Sequence, residues 1–342
     1  MVQRLLQPGE IEALDHNAIP RLLLPQPASL YSARAERLRQ LAAGNVHGIP
    51  VEDAVRGYLS LMACVADAQG RVVAAIGRDG VPLPDQAALE LAHQHNMPPL
   101  PATGARPAAW RAVFARLLDL LAAAKDAPPQ LAPALEILRA TSEAELEGIA
   151  DAILGSFDEG ADPLRAPFVA AALQVSYSVM AAQLDEAWAQ PLVTGTLCPV
   201  CGSHPVASVV RIGGQSQGYR YLHCSACESE WHMVRVKCSC CEANGKVSYQ
   251  GLVAYDADPI AENKQAAQAG KALDKANDPT KVARAETCDD CWTYRKIFNQ
   301  EHDFHVEPLA DDLASMLLDV LVTEAGYSRA SGNPLLWLRE NP

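Results

Sequence analysis

The chain has 342 residues, of which 49 % are hydrophobic and 20 % charged, so it is long enough for two or three domains with packed cores. Its net charge is −13, from 28 Lys+Arg against 41 Asp+Glu. That excess of acid argues against a general nucleic-acid binder, which must neutralise phosphates with Lys and Arg, and against a protein held on an anionic membrane surface.

Residues 1 to about 27 read as irregular, because Pro8, Pro20, Pro25 and Pro27 break any helix. The opening MVQRLLQPGEIEALDHN has neither the apolar stretch nor the small-residue cleavage site of a secretory signal, so a cytoplasmic location is expected. From Ser29 a helical period begins. Leu30, Leu38 and Leu41 share one face, and Arg34, Arg37 and Arg39 are expected towards solvent. Gly44 and Gly48 stop this helix, and Pro50 leads into a long one over 51–76 with Val55, Tyr58, Leu59, Met62 and Val65 as its core side. Cys64 falls in that pattern as a small apolar residue.

A loop at 79–84 and a short helix over 85–95 follow. His93 and His95, two residues apart, point to different faces and do not form a metal pair. After the proline-rich connector 97–107, the spacing of Trp110, Val113, Phe114, Leu117, Leu118 and Leu121 predicts a helix over 107–125. Pro128, Pro129 and Pro133 read as punctuation, and Ser142 with Glu145 as a capping box opening a helix to about Leu154. Asp162-Pro163 opens an Ala-rich helix to about Trp188. It is uncharged between Arg165 and Asp185, but Gln174, Ser176, Tyr177, Ser178 and Gln183 make it too polar for a membrane span, so it is expected to be a central buried helix. Residues 1–192 thus read as an all-α domain. They contain no glycine-rich phosphate loop, no His-Glu-x-x-His and no nucleophile motif, so this domain shows no strong catalytic constellation. Pro191 to Gly195 reads as a hinge.

The rest of the chain is organised by cysteine. Eight of the ten cysteines form four Cys-x-x-Cys pairs: Cys198/Cys201, Cys224/Cys227, Cys238/Cys241 and Cys288/Cys291. Such a turn aims two thiolates at one point, and two turns close a tetrahedral S4 site. Strand-like residues 205–212 and 219–224 flank the glycine-rich 213–218, which predicts a β-hairpin between the first two knuckles. Residues 246–255 supply strand alternation before the fourth knuckle, with a polar insertion at 256–281. Two successive copies of knuckle, hairpin and knuckle favour the first pair closing with the second and the third with the fourth; an interleaved cross-brace is the alternative. Two metal ions per chain are expected, and spacing alone leaves Zn and Fe open. With eight cysteines available, His204, His223 and His232 are expected beside the sites, and Cys240 to point away from the metal. Both sites are closed, so metal-assisted hydrolysis is disfavoured.

The expected fold class is α+β and multidomain. An all-α domain (1–192) precedes two tandem rubredoxin-like or zinc-ribbon modules (193–237 and 238–306), with a C-terminal helix and tail (307–342). Tyr, Trp and Arg dominate interface hot spots, so Arg220, Tyr221, Trp231, His232, Trp292 and Arg295 are candidates for a partner-binding surface. For Tyr221 and Trp231 the alternative is roofing a small ribbon core. A groove between the helical domain and the ribbons is expected to receive the partner.

CPVCG (198–202), RYLHCSACESEWHMVRVKC (220–238), ETCDDCWTYRKI (286–297), LADDLASMLLD (309–319) and GYSRASGNP (326–334) together resemble the FdhE family, accessory proteins for formate dehydrogenase formation. The resemblance implies a cytoplasmic maturation factor, not an enzyme, that binds the catalytic subunit of respiratory formate dehydrogenase. It also implies rubredoxin-like iron in preference to zinc, no integral membrane segment, and leaves a homodimer open. Two other readings are a rubredoxin-like electron carrier and a ribbon module on nucleic acid. The second is weak on charge, because residues 198–303 hold 12 Lys+Arg against 13 Asp+Glu.

Overall fold

The computed structural model describes residues 19–46, 48–125, 127–129, 131–155, 162–252 and 278–336. Residues 1–18 of the irregular stretch expected to about 27, most of the insertion at 256–281 and the tail at 337–342 lie outside the described residues.

Among the described residues, seven helices precede the cysteine region: α1 Pro27–Ala42, α2 Asp53–Ile76, α3 Gln86–Gln94, α4 Ala109–Ala122, α5 Leu131–Ala140, α6 Glu143–Gly155 and α7 Ala166–Ala181. α6 opens on the expected capping box: Ser142 N donates to Glu145 Oε2 at 2.9 Å, and Glu145 N to Ser142 Oγ at 3.3 Å. α5 went unpredicted because Pro133 read as a breaker. It lies in the first turn, where a missing N–H costs no intrahelical bond. α7 is the pillar of the fold, with all sixteen of its residues buried. An apolar helix without a polar face must be surrounded. α2, α4 and α6 pack on it, and Gln174 Nε2 donates to Ser225 O at 3.0 Å across to the cysteine region. α7 ends at Ala181, and a separate 3-10 turn covers Glu186–Trp188, short of the single helix expected. α2 is long and apolar enough to cross a membrane by length and composition, but its apolar stripe packs against α1, α4 and α7.

The arginines of α1 correct the sequence reading. Arg39 faces solvent, but Arg34 and Arg37 are buried beside Tyr31, Leu38 and Leu41. Their carboxylate partners lie about 200 residues or more downstream, at Glu228 and Asp311, so no local pattern marks them.

One sheet runs through the second half, in the order β1-β4-β3-β2-β7-β6-β5 with β8 also on β7. Its strands are β1 Leu22–Leu23, β2 Pro205–Val210, β3 Arg220–Cys224, β4 Glu230–His232, β5 Val247–Gly251, β6 Ala283–Cys288, β7 Thr293–Asn299 and β8 Ser328–Arg329. The predicted hairpin is β2–β3, with Val209 opposite Tyr221 and Val210 opposite Arg220. β5, β6 and β7 form an antiparallel meander. The two units are not separate ribbons. β2 runs parallel to β7, from Ser208 opposite Ile297 to Val210 opposite Asn299, and this pairing fuses them. β2 is accordingly buried on both faces, and PVASVV reads as the near-continuous apolar run of a central strand. Nor is the N-terminal region wholly helical, since Leu22 and Leu23 extend the sheet by pairing with Trp231 and Glu230. The expected C-terminal helix is two, α8 Pro308–Ala314 and α9 Met316–Glu324, broken at Ser315, whose Oγ turns back to Asp311 O at 2.7 Å.

One hydrophobic cluster runs from Tyr31 and Leu59 through Leu173 to Val200, Cys224 and Phe298. Among the described residues, helices and sheet therefore share one core at the first cysteine cluster, and the recess between them there, lined by Leu173, Gln174, Ser203 and Ser225, holds only about 20 Å³. A cleft of about 290 Å³ does lie between α1 and the 300–308 segment, lined by Leu30, Glu36, Arg211, Phe304 and His305 among others.

Candidate metal centres

The four knuckles share one backbone device. The residue after the second cysteine adopts a left-handed conformation each time: Gly202 (φ 78°), Glu228 (64°), Glu242 (60°) and Trp292 (56°). Its amide donates to the carbonyl of the first cysteine in three of them, at 2.8 Å from Gly202, 3.1 Å from Glu242 and 2.9 Å from Trp292. Left-handed backbone costs a non-glycine residue about 1–2 kcal/mol. Three such residues in matching positions imply a structure that gains more by turning the sulfurs inward than it loses to strain. Sulfurs also accept amides, as in Ala226 N and Cys227 N to Cys224 Sγ at 3.4 Å each, and Cys240 N to Cys238 Sγ at 3.3 Å.

The knuckles meet in sequential pairs. Cys198, Cys201, Cys224 and Cys227 bring their Sγ atoms within 4.8 Å of one another, and so do Cys238, Cys241, Cys288 and Cys291. In the first cluster Cys198–Cys227 is 3.5 Å and Cys201–Cys224 3.4 Å; in the second Cys238–Cys291 is 3.7 Å and Cys241–Cys288 3.8 Å. All are free thiols, far beyond disulfide distance. A tetrahedron with metal–sulfur bonds of about 2.3 Å has sulfur–sulfur edges of about 3.8 Å, so the second cluster has the size of a metal site and the first is slightly tighter. Burial pushes the thiols of Cys198, Cys224 and Cys227 well above their ordinary range. Four thiolates can therefore share that interior only around a cation. The donor set fits Zn(II) and iron equally.

The surroundings of the two clusters differ. The first is sealed, with no cysteine more than 1 % exposed. The connector at 97–107 is laced along it, with Leu100 N donating to Val200 O at 3.0 Å and Ala102 N to Cys201 O at 2.9 Å. Beside it lies a buried ion network. Arg34 grips Glu228 through Nη1 (3.0 Å) and Nη2 (2.7 Å) and Glu307 through Nε (3.0 Å) and Nη2 (2.8 Å). His223 lies 2.7 Å from both Glu228 and Glu230, and Arg211 Nε 2.8 Å from Glu230. Burial alone would lower the His223 pKa, but the two carboxylates outweigh it and raise it to about 9. Burial would raise that of Glu230, yet Arg211 and His223 hold it down at about 2. His223, Glu228 and Glu307 also cluster closely enough to hold an ion, but the Arg34 guanidinium already occupies the space between the carboxylates.

The second cluster reaches the surface. Cys238 and Cys288 are buried, Cys291 is half-buried and Cys241 exposed, as is Cys240. Next to Cys291, Trp292 is 57 % exposed and stacks on Tyr327 at 5.6 Å, and Tyr327 OH donates to Asp289 Oδ1 at 2.7 Å.

Most of the residues expected on a partner surface lie inside. Arg220 binds Glu286 at 3.0 Å, and Tyr221 OH donates to Pro20 O at 3.0 Å. Trp231 Nε1 donates to Gly195 O at 2.8 Å, which with Glu242 accepting from Gly195 N at 2.9 Å pins the expected hinge. Arg295 donates from Nε to Ser239 Oγ at 2.9 Å, and burial lowers its pKa to about 10. All four are buried because the strands that carry them, β3, β4 and β7, lie inside the fused sheet. His232 is half-buried against Tyr219, Tyr221 and Arg21, and Trp292 alone of the six stands well exposed. The sequence reading missed Arg34, Glu228 and Glu307. Their one local signal is the acidic residue directly after Cys227, in a position that favours glycine.

Comparison with known proteins agrees along the whole described chain. Family profiles described as "FdhE, N-terminal", "FdhE, central domain" and "FdhE, C-terminal domain" match residues 19–194, 197–235 and 236–336. "Protein FdhE homolog" of Edwardsiella ictaluri is 42 % identical over 322 residues, 93 % of this chain and 92 % of that one. "Protein FdhE" of Escherichia coli K12 is 38 % identical over 334 residues, covering 96 % and 95 %. The crystal structure of the FdhE protein from Pseudomonas aeruginosa superposes with a TM-score of 0.74 at 35 % identity, over 93 % of this chain and 99 % of that one. The chain belongs to the FdhE family.

Proposed function

We propose that the chain is a cytoplasmic accessory factor that binds the catalytic subunit of respiratory formate dehydrogenase during its maturation, using two tetracysteine metal centres. The observation that carries the reading is the pair of S4 clusters within a fold that matches FdhE proteins along its length. Both clusters fill a tetrahedron with protein sulfur, which leaves no open position for a substrate and favours presentation of a surface over catalysis. Iron is the preferred metal, with zinc the alternative. The surface so presented is the exposed flank of the second cluster, with Trp292 stacked on Tyr327 and His232 as a lesser candidate.

Co-purification from the native host at low oxygen tests the reading. Recovery of the formate dehydrogenase catalytic subunit, lost in Trp292→Ala at unchanged metal content, is the expected result. Recovery of nucleic acid alone would overturn it. Fast electron exchange between the second centre and a reductase, with no dehydrogenase subunit bound, would favour the electron-carrier reading, for which the exposed Cys241 is the one specific observation.

A further inference from the structure

Arg295 on β7 is a buried cation without an anion. It is 3 % exposed, and among the described residues no carboxylate stands within salt-bridge distance of it. Its guanidinium donates to neutral acceptors only: Ser239 Oγ, Pro205 O and Ser331 Oγ. The nearby Glu286 is already engaged, by Arg220 Nη1 at 3.0 Å and by Ser208 Oγ at 2.6 Å. Two guanidiniums and one carboxylate therefore share this part of the sheet. An uncompensated buried charge is among the most costly features a fold can carry.

The missing anion lies next door. Ser239, the acceptor of Arg295 Nε, stands between Cys238 and Cys240, and one small enclosed space is walled by Arg220, Arg295, Cys238 and Cys288. Four thiolates around a divalent ion carry a net charge of −2, which protonated, metal-free thiols do not. We infer that Arg295 is the built-in counter-charge of the second tetracysteine centre, held against its knuckle through Ser239, and so a positioning residue for the metal. Beside the first cluster no cation is left over in this way: Arg34, Arg211 and His223 are each engaged by Glu228, Glu230 or Glu307.

The inference rests on the proposed metal occupancy, and its test separates the two. Zinc affinity of the full-length chain, measured by competition with a chromophoric chelator, is compared for wild type, Arg295→Gln and Arg295→Lys. Arg295→Gln keeps a hydrogen-bonding side chain and removes the charge; it should weaken the second site about tenfold or more and leave the first unchanged, with Arg295→Lys within about threefold of wild type. In protein from which brief chelator treatment has removed only the second-site ion, Arg295→Gln should leave the Tm unchanged or raise it, whereas in fully zinc-loaded protein it should lower it. Equal affinity in Arg295→Gln and wild type overturns the inference, as does equal weakening of both sites or a Tm loss that is the same with and without zinc. A wild-type chain that takes up fewer than two ions overturns the metal reading first, and the inference with it.

Discussion

The two tetracysteine clusters are built from the same turn, yet one is part of the core and the other part of the surface. In the first, all four sulfurs are sealed between α7, the 97–107 connector and the central strands. In the second, Cys241 and the neighbouring Cys240 are exposed. Identical local chemistry thus acquires different consequences from its surroundings. A sealed S4 site must form with the core and lend its binding energy to folding, whereas an exposed one can gain or lose its ion while the core stands.

The largest expected effect follows from the sealed site. Cys224→Ser should remove one ion and destabilise the entire chain, by on the order of 5 kcal/mol or more, because structural S4 sites contribute folding energy outright. Helices and sheet should melt together, since one core spans both. Cys241→Ser should also remove one ion yet leave the main transition nearly in place. Melting curves followed by circular dichroism, with metal content, compare the two; equal global losses would dissolve the distinction.

Next is the ion network that fastens the first cluster to α1. Glu228→Gln leaves Arg34 and His223 facing one carboxylate fewer in a fully buried setting, and such losses cost about 3–5 kcal/mol. Chemical denaturation should show this at unchanged m-value. A cost below about 1 kcal/mol would mean the network is no better than a surface pair.

A pH profile sharpens the same point. The folded pKa of Glu230, about 2, lies below its ordinary value, so its stabilisation is present above pH 4.5 and is lost as pH falls from there towards 2. At neutral pH the shift corresponds to about 3 kcal/mol. The stability gap between wild type and Glu230→Gln should therefore be constant from pH 5 to 6 and shrink below about 4.5; comparing two proteins with the same thiols cancels their common titration. A gap independent of pH down to unfolding would show that Glu230 acts through packing alone.

The smallest effect on stability belongs to the exposed cluster. Trp292→Ala removes an exposed ring stacked on one neighbour and should cost about 1 kcal/mol or less. A much larger loss in the thermal transition would mark Trp292 as structural support for the second site.

How much of this was legible in the sequence follows the range of the interactions. The Cys-x-x-Cys spacings, the β2–β3 hairpin and the capping box at Ser142 are local devices, and the residues within each turn announce them. So does α7, whose uncharged stretch carries too many polar residues for a membrane span and reads as a buried helix. The parallel pairing of β2 with β7 joins residues about ninety apart and leaves no trace in either strand, so two ribbons were expected where one sheet exists. Arg34 and Arg37 read as solvent-facing because their partners lie at Glu228 and Asp311, and the burial of Arg220, Tyr221, Trp231 and Arg295 followed from the same unforeseen fusion. Leu22 and Leu23 form a strand only because Trp231 and Glu230 offer an edge.

The inequality of the two centres is tested most directly by the time course of zinc release from the full-length, fully loaded chain under excess chelator. One equivalent should leave quickly with the circular dichroism signal unchanged. The other should leave only at the rate of global unfolding, and Cys241→Ser should abolish the fast phase. Release of both ions in one phase, or a fast phase that survives in Cys241→Ser and disappears in Cys224→Ser, would contradict the account.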